Sequence, residues 1–154
     1  MDQRSLNELN TLHPKFRPSA IEAWEEAQAA MPDNVKIIVT QGLRSFEESD
    51  RLYAQGRTAP GEIVTNSPGG KSYHNYGLAF DFSMLTNGKE DWVVGPNWMK
   101  VVGIMKKHGM TWGGDFTTIK DSPHFENKYG HNYKDLLVLH KAGNFIPGTQ
   151  YVNI

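Results

Sequence analysis

Cysteine is absent from the 154 residues. That excludes disulfide staples and thiolate metal sites, so any metal centre must be built from histidine and carboxylate. A charge excess of either sign is also missing: sixteen Lys and Arg face seventeen Asp and Glu, for a formal net charge of −1. A nucleic-acid-binding chain carries a basic surplus, so no nucleic-acid partner is expected. No unbroken apolar run approaches membrane-spanning length, and Met1-Asp2-Gln3-Arg4-Ser5-Leu6-Asn7-Glu8 has no apolar core of the secretory-signal kind. The expectation is therefore no membrane insertion and synthesis in the cytoplasm without a visible signal peptide, unless one was removed beforehand. At this length, with 38% hydrophobic and 21% charged residues, the chain suits one domain that buries its own core without cross-links.

Two segments carry chemistry. The first is Ser72-Tyr73-His74-Asn75-Tyr76-Gly77-Leu78-Ala79-Phe80-Asp81; the second is Asp121-Ser122-Pro123-His124-Phe125-Glu126. Together they read as a split metal site, in which His74, Asp81 and His124 supply three ligands and a tetrahedral zinc keeps its fourth position for water. Either segment alone is matched by an ordinary surface His–Asp pair. Both together, in a cysteine-free chain, give a mixed His/Asp site with an open position, the arrangement of a catalytic centre.

The spacing is compatible with a shared ion. From Leu78 to Ser83 the residues alternate, with Leu78, Phe80 and Phe82 on one side and Ala79, Asp81 and Ser83 on the other, the period of a half-buried strand. Asp81 thus points away from the apolar face. His74 lies in a loop with Gly69, Gly70 and Gly77, whose tolerance of unusual backbone angles lets the imidazole bend back toward the carboxylate. A second short strand at 124–126, with Phe125 inward and His124 outward, would set His124 beside Asp81. Residues three apart on a strand face opposite ways, so a bend is expected between Asp121 and His124, and Pro123 suits one.

The pattern SxHxxGxAxD followed by DxxH resembles the LAS-type zinc peptidases of bacterial cell-wall peptides: the D-Ala-D-Ala dipeptidases and carboxypeptidases, and the L-alanyl-D-glutamate endopeptidases of phage endolysins and their bacterial relatives. The N-terminal run from Leu6 to Pro14, Gln41-Gly42-Leu43-Arg44-Ser45 and Trp112-Gly113-Gly114-Asp115-Phe116 fit the endopeptidase branch better. The resemblance covers about residues 5–126, with the helix and tail of 127–154 beyond it. It implies a hedgehog/D-Ala-D-Ala peptidase-like α+β fold, one Zn2+ on His74, Asp81 and His124, Asp121 as general base, and Arg44 as the cation facing the developing oxyanion. Some relatives have glutamate where Asp121 stands. Ser72 resembles a position that contacts polar substrate groups. The implied substrate is the peptidoglycan stem peptide, cut at the L-Ala–D-Glu bond by a monomer that acts on the wall after release or export. A D,D-carboxypeptidase or dipeptidase with the same centre is the alternative, as is a non-catalytic zinc-binding module, which retention of Asp121 and Arg44 disfavours.

Other residues keep two readings open. Glu126 shares the face of His124 and is a second candidate base, or a partner for an imidazole N–H. Tyr73, Tyr76, Trp112 and Phe116 lie in or beside the motifs and are either core or substrate-cleft walls. His13, His108, His131 and His140 have no ligand spacing and read as structural.

The periodicities predict a helix over 14–30, a strand over 35–40, a helix over 46–55 opened by the capping box Ser45-Phe46-Glu47-Glu48, and a glycine- and proline-rich loop over 56–70. The metal strand, a turn at Asn87-Gly88, a helix through Trp98 and Met105 closed by Gly109, strands near 109–112 and 124–126, and a helix over 133–141 follow. The sum is α+β with a small, mostly antiparallel sheet. The tail after Phe145 carries enough apolar side chains to pack on the body.

Overall fold

Alternation along one strand organises the molecule. The computed structural model describes residues 2–154, and at its centre lies β2 (Ala79–Thr86), flanked on one side by β1 (Val35–Gln41) and on the other by β5 (His124–Glu126). β4 (Thr111–Trp112) pairs with the far side of β5, and β3 (Lys89–Asp91) extends β2 past the turn at Asn87-Gly88. Every pairing is antiparallel. Phe80 and Phe82 leave β2 on one face and meet Phe125 of β5 at ring-centroid distances of 5.9 and 5.6 Å. Trp98, from helix α4 (Pro96–Lys107), closes this cluster 4.4 Å from Phe82. These residues are fully buried and form the core on which the opposite face is held rigid.

β1 is an edge strand, and an uncovered edge leaves backbone donors and acceptors free. Side chains from two helices cover it. From α2 (Arg17–Ala29), the Trp24 indole N–H donates to the Ile37 carbonyl, while the Gln28 amide accepts from the Ile37 N–H and donates to the Val35 carbonyl. From α1 (Gln3–Leu9), the Ser5 hydroxyl accepts from the Val39 N–H and Glu8 accepts from the Gly42 N–H at 2.9 Å. The register shifts between Val39 and Gln41, so that Gln41 comes opposite Asp81. A bulge of this kind re-aims side chains, and here it lies beside the candidate site.

Local signals explain the remaining helices. Ser45 caps α3 (Phe46–Ala54) by accepting from the Glu48 N–H, and Asn132 caps α5 (Tyr133–Lys141) by accepting from the Asp135 N–H. The fold is the expected α+β arrangement of a small antiparallel sheet with helices around it. Three details differ from the sequence reading: α1 and β3 were not expected, and the helix expected from residue 14 starts at Arg17. The first turn after Pro14 is taken up by His13, whose carbonyl accepts from the Phe16 and Arg17 N–H groups. The tail packs on the body through buried Val152, and the Tyr151 hydroxyl donates to the Thr11 carbonyl. Among the described residues no helix is long and apolar enough to cross a membrane.

Candidate active site

Asp81 and His124 are direct partners in the β2–β5 register, so one step of pairing sets the carboxylate beside the imidazole. His74 arrives from a 3₁₀ turn, Tyr73–Tyr76, capped by Ser72 and ended by Gly77 in the left-handed region at φ 71°. A side chain at Gly77 would be strained by that angle and would also meet the His13 backbone nitrogen at 2.5 Å. The chain therefore turns sharply from His74 into β2, and the two histidines and the aspartate converge. Asp81 Oδ1 lies 3.3 Å from His74 Nε2 and 3.2 Å from His124 Nδ1, and the two ring nitrogens are 3.2 Å apart.

Hydrogen bonds on the far side of each ring decide which nitrogen faces inward. The Gly42 carbonyl can only accept, so His74 donates Nδ1–H to it at 2.9 Å and turns the Nε2 lone pair toward Asp81. Glu126, only 3% exposed, accepts from His124 Nε2–H at 2.7 Å, and in the neutral ring this leaves Nδ1 with a lone pair. Three acceptor atoms thus point at one spot with no donor among them. With both rings neutral, a cation shared by the three atoms stabilises that arrangement. Ligands bound at about 2.0–2.2 Å around a tetrahedral zinc stand roughly 3.3–3.6 Å apart, close to the spacing present here. The donor set fits the metal, and His74, Asp81 and His124 form the group among the described residues that could hold one.

The electrostatics state the same demand. Burial alone would raise the Asp81 carboxyl, but its electrostatic interactions and hydrogen bonds with the two neighbouring imidazoles outweigh it and hold the pKa well below the usual range. Burial disfavours a charged His124, yet bonds to Asp81 and Glu126 raise it to about 10. Without a metal, a proton on His124 satisfies the pocket. Asp121 moves the other way: burial and the neighbouring Asp81 charge push its carboxyl up.

Asp121 lies at the rim, its side chain 47% exposed and its Oδ2 3.8 Å from His124 Nδ1. The expected bend is present, since the His124 N–H donates back to the Asp121 carbonyl around Ser122-Pro123. A scaffold fixes this bend: the Asp121 N–H donates to the Gly113 carbonyl, and the Trp112 indole N–H donates to the Ser122 carbonyl at 2.7 Å. A Cβ on Gly113 would come 2.2 Å from the Asp121 carbonyl oxygen, so the Trp112-Gly113-Gly114 run is needed for close backbone approach. Arg44 follows β1. Its guanidinium donates twice to Gln41 Oε1, at 3.0 and 2.6 Å, and lies 3.7 Å from Asp81 Oδ2.

Arg44, His74, Asp81, Asp121, His124 and Glu126 open into one cleft of about 660 Å3 that also takes in Ser72, Tyr73 and Phe116. Tyr76 and Trp112 are not among its lining residues, which corrects their reading as possible walls. The Tyr76 hydroxyl donates to the Gly70 carbonyl and its ring is buried against Phe46, with burial pushing its pKa up to about 12. Trp112 is paired with Phe125 in the β4–β5 register and is buried in the core. The sequence reading did not single out Val64, Ile119, Lys71 and Lys120, which also line the cleft; no periodicity marks loop residues that meet only through tertiary folding. None of His13, His108, His131 and His140 joins the cleft; His13, for instance, donates Nε2–H to the Val152 carbonyl and accepts from the Lys15 N–H.

Comparison with known proteins adds a family profile, two relatives and two solved structures. A family profile described as D-alanyl-D-alanine carboxypeptidase matches residues 65–127. The peptidoglycan L-alanyl-D-glutamate endopeptidase CwlK of Bacillus subtilis (strain 168) is 42% identical, over 75% of this chain and 72% of its own. An L-alanyl-D-glutamate peptidase of Listeria phage A118 is 26% identical over 82% of this chain, but the match spans only 41% of the phage protein. Two solved structures share the fold. The Serratia marcescens L-Ala D-Glu endopeptidase ChiX superposes with a TM-score of 0.58 at 23% identity, covering 84% of this chain and 90% of its own. The vancomycin-resistance D,D-dipeptidase VanXYg does so with a TM-score of 0.56 at 19% identity, covering 85% and 60%.

Proposed function

This chain belongs to the LAS-type M15 peptidases, and from that premise we propose that it hydrolyses the stem peptide of peptidoglycan at the L-Ala–D-Glu bond. The observation that carries the reading is the convergence of His74 Nε2, Asp81 Oδ1 and His124 Nδ1 within 3.3 Å, beside Asp121 and Arg44 in one open cleft. His74, Asp81 and His124 would hold a zinc ion, which when bound would supply Lewis-acid polarisation of the scissile carbonyl and acidify the attacking water.

The chain's own groups do the rest. Asp121 accepts the water's proton and returns it to the leaving amine; its raised pKa makes it a better acceptor in the first step than an ordinary carboxylate. Arg44, held by Gln41 and near Asp81, aims a fixed positive charge at the oxyanion as it develops. Because it is already oriented, little reorganisation accompanies the reaction. Glu126 holds the His124 ring through Oε1 and acts as a positioning residue. Ser72 and Tyr73 form the wall against which the peptide lies. The substrate places the site of action at the cell wall, reached by release or export.

A D,D-carboxypeptidase is the second reading, favoured by the description of the matching family profile. Mass spectrometry of digested peptidoglycan separates the two. New N-terminal glutamate supports the endopeptidase; loss of terminal D-alanine alone rejects it.

A further inference from the structure

The cleft carries more positive charge than its own carboxylates can neutralise. Arg44, Lys71, Lys120 and Lys128 line it, against Asp81, Asp121 and Glu126. Two of those three carboxylates are engaged at the centre, Asp81 by both imidazoles and Glu126 by His124. Lys128 has Glu126 at 3.6 Å and lies over the Tyr73 ring, and Arg44 has Asp81 at 3.7 Å. Lys71 and Lys120 are exposed in the cleft and have no carboxylate within ion-pair distance among the described residues. A bound divalent cation adds further positive charge. A cleft so charged favours an anionic ligand.

We propose that Lys120 is a specificity-determining residue that pairs with a free carboxylate on the residue whose amino group is released. This deepens the reading of the site as a stem-peptide hydrolase and rests on it. Lys120 directly precedes Asp121, and Asp121 is the group that must reach the leaving amine. The leaving-side residue therefore lies against the 116–121 segment, where Phe116 and Ile119 offer apolar surface and Lys120 the cation. At an L-Ala–D-Glu bond whose glutamate continues through its γ-carboxyl, the leaving residue keeps its α-carboxylate free beside the scissile nitrogen. Amidation of that carboxylate removes the charge and leaves the shape nearly unchanged. Lys120 thus distinguishes the acid from the amide.

The test uses two synthetic peptides, L-Ala-γ-D-Glu-L-Lys and its α-amide. Each is titrated against the chelated protein, where binding is read without cleavage, and each is then assayed with the zinc-loaded protein. The acid is expected to bind about fivefold tighter than the amide at low salt, and less so as ionic strength rises. Lys120→Gln should erase that preference by weakening acid binding alone, and Lys120→Arg should restore it. An unchanged preference in Lys120→Gln overturns the assignment, as does equal wild-type affinity for the two peptides. Failure to cleave either peptide despite the binding preference overturns the hydrolase reading instead, so the two failures are distinguishable.

Discussion

Glu126 holds the His124 ring from its far side. Its 2.7 Å bond to Nε2 of His124 selects the tautomer that turns Nδ1 toward Asp81. Glu126→Ala should weaken zinc affinity by about 10–100-fold, measured by competition with a chromophoric chelator; undiminished affinity would show that ring packing alone orients His124. Asp121 gives the opposite signature. Asp121→Ala should retain the metal and lower kcat by about 10²–10⁴-fold, and near-native turnover would remove it from the role of base. The sequence distinguishes these residues unequally. His74, Asp81 and His124 are legible because strand alternation fixes which way Asp81 points and a glycine-bearing turn returns His74 to it. Tyr73 and Tyr76 look alike in sequence, and only tertiary contacts send one to the cleft and give the other a bond to the Gly70 carbonyl.

The elements that hold the site are backbone devices as much as side chains. Gly113 lets the 113–115 turn lie against the Asp121 carbonyl, and any Cβ there meets that oxygen at 2.2 Å. Gly113→Ala should lower stability by roughly 1–3 kcal/mol in urea denaturation and depress kcat by displacing the 121–123 bend. Native stability with native kcat would mean that the bend tolerates the shift. Strands and capped helices announce themselves by period and by Ser45 or Asn132 at their starts. α1 does not: within its seven residues Leu9 is the fully buried apolar side chain, and Ser5 and Glu8 add bonds to the Val39 and Gly42 N–H groups. The two-residue β4 and three-residue β3 are too short for any period to appear. The Trp112-Gly113-Gly114 run was visible as a motif, but its work as a scaffold depends on which carbonyl lies opposite.

At the scale of the whole molecule, the ends of the chain are tied together at His13. Burial lowers its pKa, and the neutral ring bridges the Lys15 N–H and the Val152 carbonyl. A histidine depressed in the folded state is protonated first in the unfolded chain, so its contribution is full above about pH 6.5 and is lost as pH falls toward the folded value. Wild type should therefore lose more stability than His13→Gln between pH 7.5 and 5, and parallel losses would contradict this. The larger dependence is on the metal. Filling a site built from the 73–86 stretch and β5 links two segments distant in sequence, so zinc should raise Tm and a chelator should lower it. Most direct is anomalous diffraction at the zinc edge from crystals of the zinc-loaded protein. A single peak within about 2.0–2.2 Å of His74 Nε2, Asp81 Oδ1 and His124 Nδ1 is expected, whereas no peak among these atoms, or zinc bound only elsewhere, would contradict a shared metal centre.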